Sequence, residues 1–99
     1  MARFDVYGAG KGQGYLLDVQ ADLLEGLNTR VVVPLRPLKI SPLPAERLNP
    51  HFEIRGAEVS MVTQFMAAVP RSELKTPVAN LEEHASEILS AIDFLHHGW

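Results

Sequence analysis

Polar and apolar residues alternate over residues 3–7, with Phe4 and Val6 on one face, which is the period-two pattern of a half-buried strand. Residues 15–19 predict a second strand. Gly8, Gly10, Gly12 and Gly14 surround Lys11 between the two, so the pair reads as a hairpin with a mobile tip. A third strand is predicted over residues 30–35, led by the β-branched run Val31, Val32, Val33. Pro34 lacks an N–H, so this strand is expected to end there or to lie at a sheet edge. Pro37, Pro42, Pro44 and Pro50 exclude a long helix or central strand over residues 36–50, leaving room for a helical turn at 45–48. Residues 51–55 and 58–63 predict a second hairpin about Gly56. The apolar stretch 61–69 stops at Pro70.

The period changes only in the last fifth of the chain. Leu81, Ala85, Ile88, Leu89, Ile92 and Leu95 follow helical spacing and predict a C-terminal helix over about residues 81–97. Asn80 is placed to cap it, with Glu83 as capping-box partner, and Gly98 falls where a left-handed glycine ends a helix. Phe94 projects off the apolar stripe and is followed by His96, His97, Gly98 and Trp99. Such a cluster at a helix end either packs back on the body or forms an interface, where Trp and Phe are over-represented.

Composition narrows the function. The 99 residues fit one domain, residues 1–99, too small for separate cofactor and substrate domains. The absence of Cys excludes a disulfide scaffold and any thiolate-held metal, and it fits a reducing cytoplasm. Nine Lys and Arg against twelve Asp and Glu give a charge of −3, the wrong sign for nucleic acid as the main partner. Residues 81–99 carry Glu82, Glu83, Glu87 and Asp93 with no Lys or Arg, so that segment holds −4 and the other eighty residues a net +1. No apolar run reaches the length of a membrane span, and residues 1–5 show no apolar signal-peptide segment.

Candidate chemistry is sparse. The stretch from Gly8 to Gly14 resembles a phosphate loop but has no Ser or Thr after Lys11 and does not open a helix. His51, His84, His96 and His97 show no metal-ligand spacing, and neighbouring His96 and His97 point about 100° apart on a helix. Ser60, Ser72, Ser86 and Ser90 lie in no nucleophile elbow. No catalytic residue, metal or cofactor is assigned. The pattern fits a protein that acts by binding.

Four segments carry a resemblance. Residues 15–24, Tyr-Leu-Leu-Asp-Val-Gln-Ala-Asp-Leu-Leu, and residues 30–35, Arg-Val-Val-Val-Pro-Leu, are similar to the opening signature of the CcdB toxins. Residues 61–70, running from Met61 through Thr63 and Met66 to Val69-Pro70, resemble a third family segment. Ala91-Ile92-Asp93-Phe94-Leu95, with Gly98, resembles the family's close. The resemblance implies a mainly β fold, an SH3-like small β-barrel with one C-terminal α-helix, assembled as a homodimer. It implies the toxin of a type II toxin–antitoxin system, cytoplasmic in a bacterium. Such a toxin binds the DNA gyrase A subunit, traps the cleaved-DNA complex and is neutralised by a CcdA-like antitoxin. It catalyses nothing. Carried over by position, the implied gyrase contacts are Ala21 and Leu23, then Asp93, His96, His97, Gly98 and Trp99. The chain departs from the family pattern in having His97 where the best-known member has Trp, and in placing Trp99 last. Two alternatives stay open at this level: a MazF/Kid-like endoribonuclease using groups such as Arg30, Arg36, Arg55, Arg71 and His51, and a non-toxic chromosomal relative.

Overall fold

Two hairpins and one long strand between them generate the sheet. The computed structural model describes residues 2–10, 14–38 and 47–98. Strands β1 (Asp5–Gly8) and β2 (Tyr15–Asp18) pair antiparallel with Val6 opposite Leu17, as the alternation predicts. The tip at 11–13 and the start of the turn expected at 45–48 lie outside the described residues. Strands β4 (His51–Ile54) and β5 (Ala57–Met61) form the second hairpin. Its two connecting residues, Arg55 and Gly56, have φ of 51° and 83°. Positive φ at both positions is what a type I′ turn needs to match the twist of the strands it joins.

Strand β3 (Thr29–Pro37) corrects one expectation. It neither ends at Pro34 nor lies at an edge; it is the most connected strand in the sheet. It pairs with β2 along one side and, along the other, first with β6 (Ala67–Pro70) over residues 29–32 and then with β5 over residues 35–37. The N–H and C=O of one strand residue point to the same side. Pro34 therefore turns its missing N–H toward the gap where β6 has ended and β5 has not begun, while its carbonyl accepts from Val62 N–H at 2.9 Å. The remaining strand, β7 (Ala79–Asn80), was not legible in the sequence; it pairs with β1. The order β4-β5-β3-β2-β1-β7, with β6 also on β3, curls into a barrel-like antiparallel sheet.

The C-terminal helix plugs this sheet. Helix α1 (Ala85–His97) starts later than the predicted residue 81, because residues 82–84 form a 3-10 turn first. Asn80 Oδ1 accepts from Glu82 N–H at 2.7 Å, but Asn80 is not the expected N-cap: Leu81 precedes the 3-10 turn and His84 precedes α1, and the Glu83 carboxylate lies 3.7 Å from His84 instead of closing a capping box. Ile88 and Ala91 are buried against Val6, Leu17, Val33 and Leu35 of the sheet. Leu95, placed on the apolar stripe by its spacing, is exposed; Ala91 takes the buried place one turn earlier. Burial of the stripe, about 25 cal/mol per Å² of apolar surface, is what holds a 13-residue helix that is marginal in isolation. Gly98 ends it at φ 80°, donating its N–H to Phe94 O at 2.8 Å, as predicted.

The opposite face of β3 holds a smaller cluster, Tyr7, Val32 and Leu74, and beside it a buried ion pair. Arg30 and Asp18 are both fully buried, with Arg30 Nη2 2.6 Å and Nε 2.8 Å from Asp18 Oδ2. Arg30 shares the face of Val32 because strand residues two apart point the same way.

Candidate functional site

A groove of about 460 Å³ runs between α1 and the loop that joins β2 to β3. Leu89, Ile92 and Asp93 form its helix wall; Ala21, Leu24 and Leu27 form its loop wall; Val31 and Met66 lie at its base. Residues 22–24 of the loop make one 3-10 turn, and its tip is Leu23, 94 % exposed. Leu24 and Leu27 are also exposed. Three leucines in eight residues facing solvent make an apolar patch beside an apolar groove, the kind of surface on which proteins meet partners.

The loop is tied down along its length. Arg3 N–H donates to Asp22 Oδ1 at 2.8 Å, and Arg71 donates twice, from Nη1 to the Glu25 carbonyl at 2.7 Å and from its N–H to the Asn28 carbonyl at 2.8 Å. A further tie is internal. The Gln20 side chain donates from Nε2 to the Leu24 carbonyl at 3.0 Å and accepts from Val31 N–H at its Oε1, at 3.1 Å. Gln20 N–H in turn donates to Asp18 Oδ1 at 3.0 Å, which links the loop to the buried ion pair. Burial pushes the Asp18 carboxyl above its ordinary value, against the opposing pull of the Arg30 guanidinium and the Gln20 N–H. The nearby Tyr7 hydroxyl is also raised, first by burial and then by the Asp5 and Asp18 carboxylates.

Of the positions named from sequence, the structure brings Ala21 and Asp93 to one groove from opposite walls. Leu23 stands outside that groove at the loop tip. His96, His97 and Gly98 are exposed at the end of α1, and Trp99 lies outside the described residues. Phe94 is half-buried, with the Arg47 guanidinium 4.7 Å above its ring, so it packs on the protein's own body as one of the two readings expected. Sequence reasoning missed Leu24, Leu27, Gln20 and Arg71. The leucines carried a signal, since apolar residues in a loop with Gly26 and Asn28 have no strand or helix to bury them. Arg71 carried none, because it lies 46 positions from Glu25.

The groups offered for RNA chemistry do not converge on one catalytic centre. Arg30 is sealed in its ion pair, Arg71 is spent on the Glu25 carbonyl and Arg36 lies over the Phe65 ring at 5.8 Å. His51 and Arg36 flank Ser60 on neighbouring strands, while Arg55 occupies the β4–β5 turn. Among the described residues no three His, Asp or Glu side chains gather around one point, and no helix is long and apolar enough to cross a membrane. A protein-family model described as CcdB protein matches residues 3–98.

Proposed function

The chain belongs to the CcdB family, and from that premise we propose that it is the toxin of a type II toxin–antitoxin pair. In this reading a homodimer binds the A subunit of bacterial DNA gyrase in the cytoplasm and traps the complex in which DNA is cleaved. A CcdA-like antitoxin neutralises it. The observation that carries the reading is the reach of the family match, which spans the sheet, the loop at 21–28 and the helix to Gly98.

The geometry supports action by binding. Leu23 offers an apolar side chain to a partner with almost nothing of its own to lose by desolvation, and Ala21 gives a small residue beside it for close approach. Asp93 supplies an exposed carboxylate to a cationic group on the partner. His96 and His97 add polar contacts, and Gly98 lets a backbone approach where a Cβ would meet open space. Trp99 adds the large aromatic anchor typical of interface centres. Affinity here would come from a few anchors inside a ring of neutral contacts, which needs no proton donor, nucleophile or metal.

A cleavage assay tests this reading. Purified protein is mixed with gyrase, ATP and supercoiled plasmid, and the reaction is quenched with detergent and protease. Linear DNA is expected from the full chain and none from a chain lacking residues 97–99, although the truncated protein keeps its melting temperature. Undiminished linear DNA from the truncated protein would refute the tail mechanism. No linear DNA from the intact, folded protein with gyrase of its own host would refute the activity.

A further inference from the structure

The loop at 21–28 exposes apolar side chains, yet its backbone is anchored like a core segment. The ties from Arg3 to Asp22 and from the Arg71 side chain to Glu25 are exposed to solvent, whereas Gln20 is 6 % exposed and joins the turn to the centre of the sheet. The Leu24 carbonyl accepts twice, from Leu27 N–H at 3.1 Å and from Gln20 Nε2 at 3.0 Å. Through Gln20 Oε1 the same amide holds Val31 N–H in β3. Leu23 precedes Leu24 directly. At 94 % exposure its side chain has little of the protein to lean on, so its direction is inherited from the backbone that Gln20 fixes.

From this arrangement we infer that Gln20 is the positioning residue for partner recognition: its buried amide aims the turn that carries Leu23 without touching the partner. The inference rests on the proposed gyrase reading and adds to it. A pre-aimed apolar tip loses less conformational freedom on docking than a mobile one, so the benefit appears in binding affinity more than in fold stability. Gln is suited to the task because one planar amide both donates to the turn and accepts from the strand. Neither a carboxylate nor an apolar isostere does both at neutral pH.

A double-mutant cycle tests it. Binding of the full chain to the gyrase A subunit is measured for Gln20→Met, Gln20→Glu and Leu23→Ala, and for each Gln20 change combined with Leu23→Ala. Gln20→Glu keeps the acceptor for Val31 but sets a carboxylate oxygen against the Leu24 carbonyl, so the two variants break the tie in different ways and the cycle is read on whichever stays folded. Each Gln20 change is expected to weaken binding about tenfold in the parent and less than about twofold when Leu23 is already Ala. Amide exchange at Glu25 and Leu27 should quicken in both Gln20 variants. Equal losses in both backgrounds would overturn the inference, since a general loss of stability acts regardless of Leu23. So would unchanged binding with quickened exchange. A parent chain that binds no gyrase at all would instead bring down the underlying reading, and that result is visible before any substitution is made.

Discussion

The two surfaces proposed for partner binding are built on opposite plans. The loop at 21–28 carries its exposed leucines on a backbone fastened by Arg3, Gln20 and Arg71. The end of α1 carries His96, His97 and Gly98 on the last turn of a helix whose buried contacts stop at Ala91, with the half-buried Phe94 between. One surface is held by ties to distant parts of the chain; the other is held by the local repeat of a helix and its glycine stop. A partner that meets both would read one surface set by tertiary contacts and one set by local sequence.

The sharpest way to break this contrast is to remove the foundation of the fixed loop. Arg30→Met leaves Asp18 buried without its cation, and is expected to cost about 3–5 kcal/mol in urea unfolding at neutral pH. Burial already holds the Asp18 carboxyl above its ordinary value, and the substitution removes the opposing cation. The folded variant therefore binds a proton more readily than the unfolded chain does. Its stability deficit should shrink as pH falls through the raised pKa and grow as pH rises, the direction required for a raised carboxyl. Replacing both partners, Asp18→Asn with Arg30→Met, should be less harmful than Arg30→Met alone. An equal or greater loss in the double variant would mean that the charge imbalance is not the cause.

The same interior can be reached from the alkaline side. The buried Tyr7 hydroxyl ionises above its ordinary value of 10.0, so the unfolded chain loses this proton first. The contribution is intact below that value and is lost as pH rises beyond it, by up to about 1.4 kcal/mol per pH unit until the folded state also ionises. Tyr7→Phe should therefore flatten the alkaline decline in melting temperature. The smallest effect on the fold is expected at the end of α1. Gly98→Ala forces a side chain into φ 80° but meets no atom within 4 Å, so it should cost about 1 kcal/mol. Its signature is faster amide exchange over residues 95–98 with a modest lowering of the unfolding midpoint.

The sequence exposed the locally determined parts of this arrangement. Alternation marked β1, β2, β4 and β5, and the turn at Gly56 follows from residues adjacent in the chain. The helix and its glycine stop were equally plain, because their signals repeat every turn. Pro34 misled, since the gap between β5 and β6 that accommodates it depends on where strands more than twenty residues later come to rest. Strand β7, two residues long, carries no period at all. At the candidate site, Ala21, Leu23, Asp93 and the tail were named by resemblance. The tie from Gln20 was hidden because a polar residue following a strand looks the same whether it faces water or closes a buried bridge.

The pairing of β1 with β7 bears on how the molecule comes into being. Asp5 meets Asn80 across the sheet, and the core closes only when Ile88 and Ala91 arrive. During synthesis from the N-terminus the first strand therefore waits with one edge unpaired while some seventy residues are added. The interior stays open to water until residues 79–91 have emerged. The loop at 21–28 is among the first parts to be made, but the groove beside it has no second wall before α1 exists. Assembly of the proposed recognition surface is thus coupled to near-completion of the chain, and a prematurely ended product would carry the leucines without the platform that presents them.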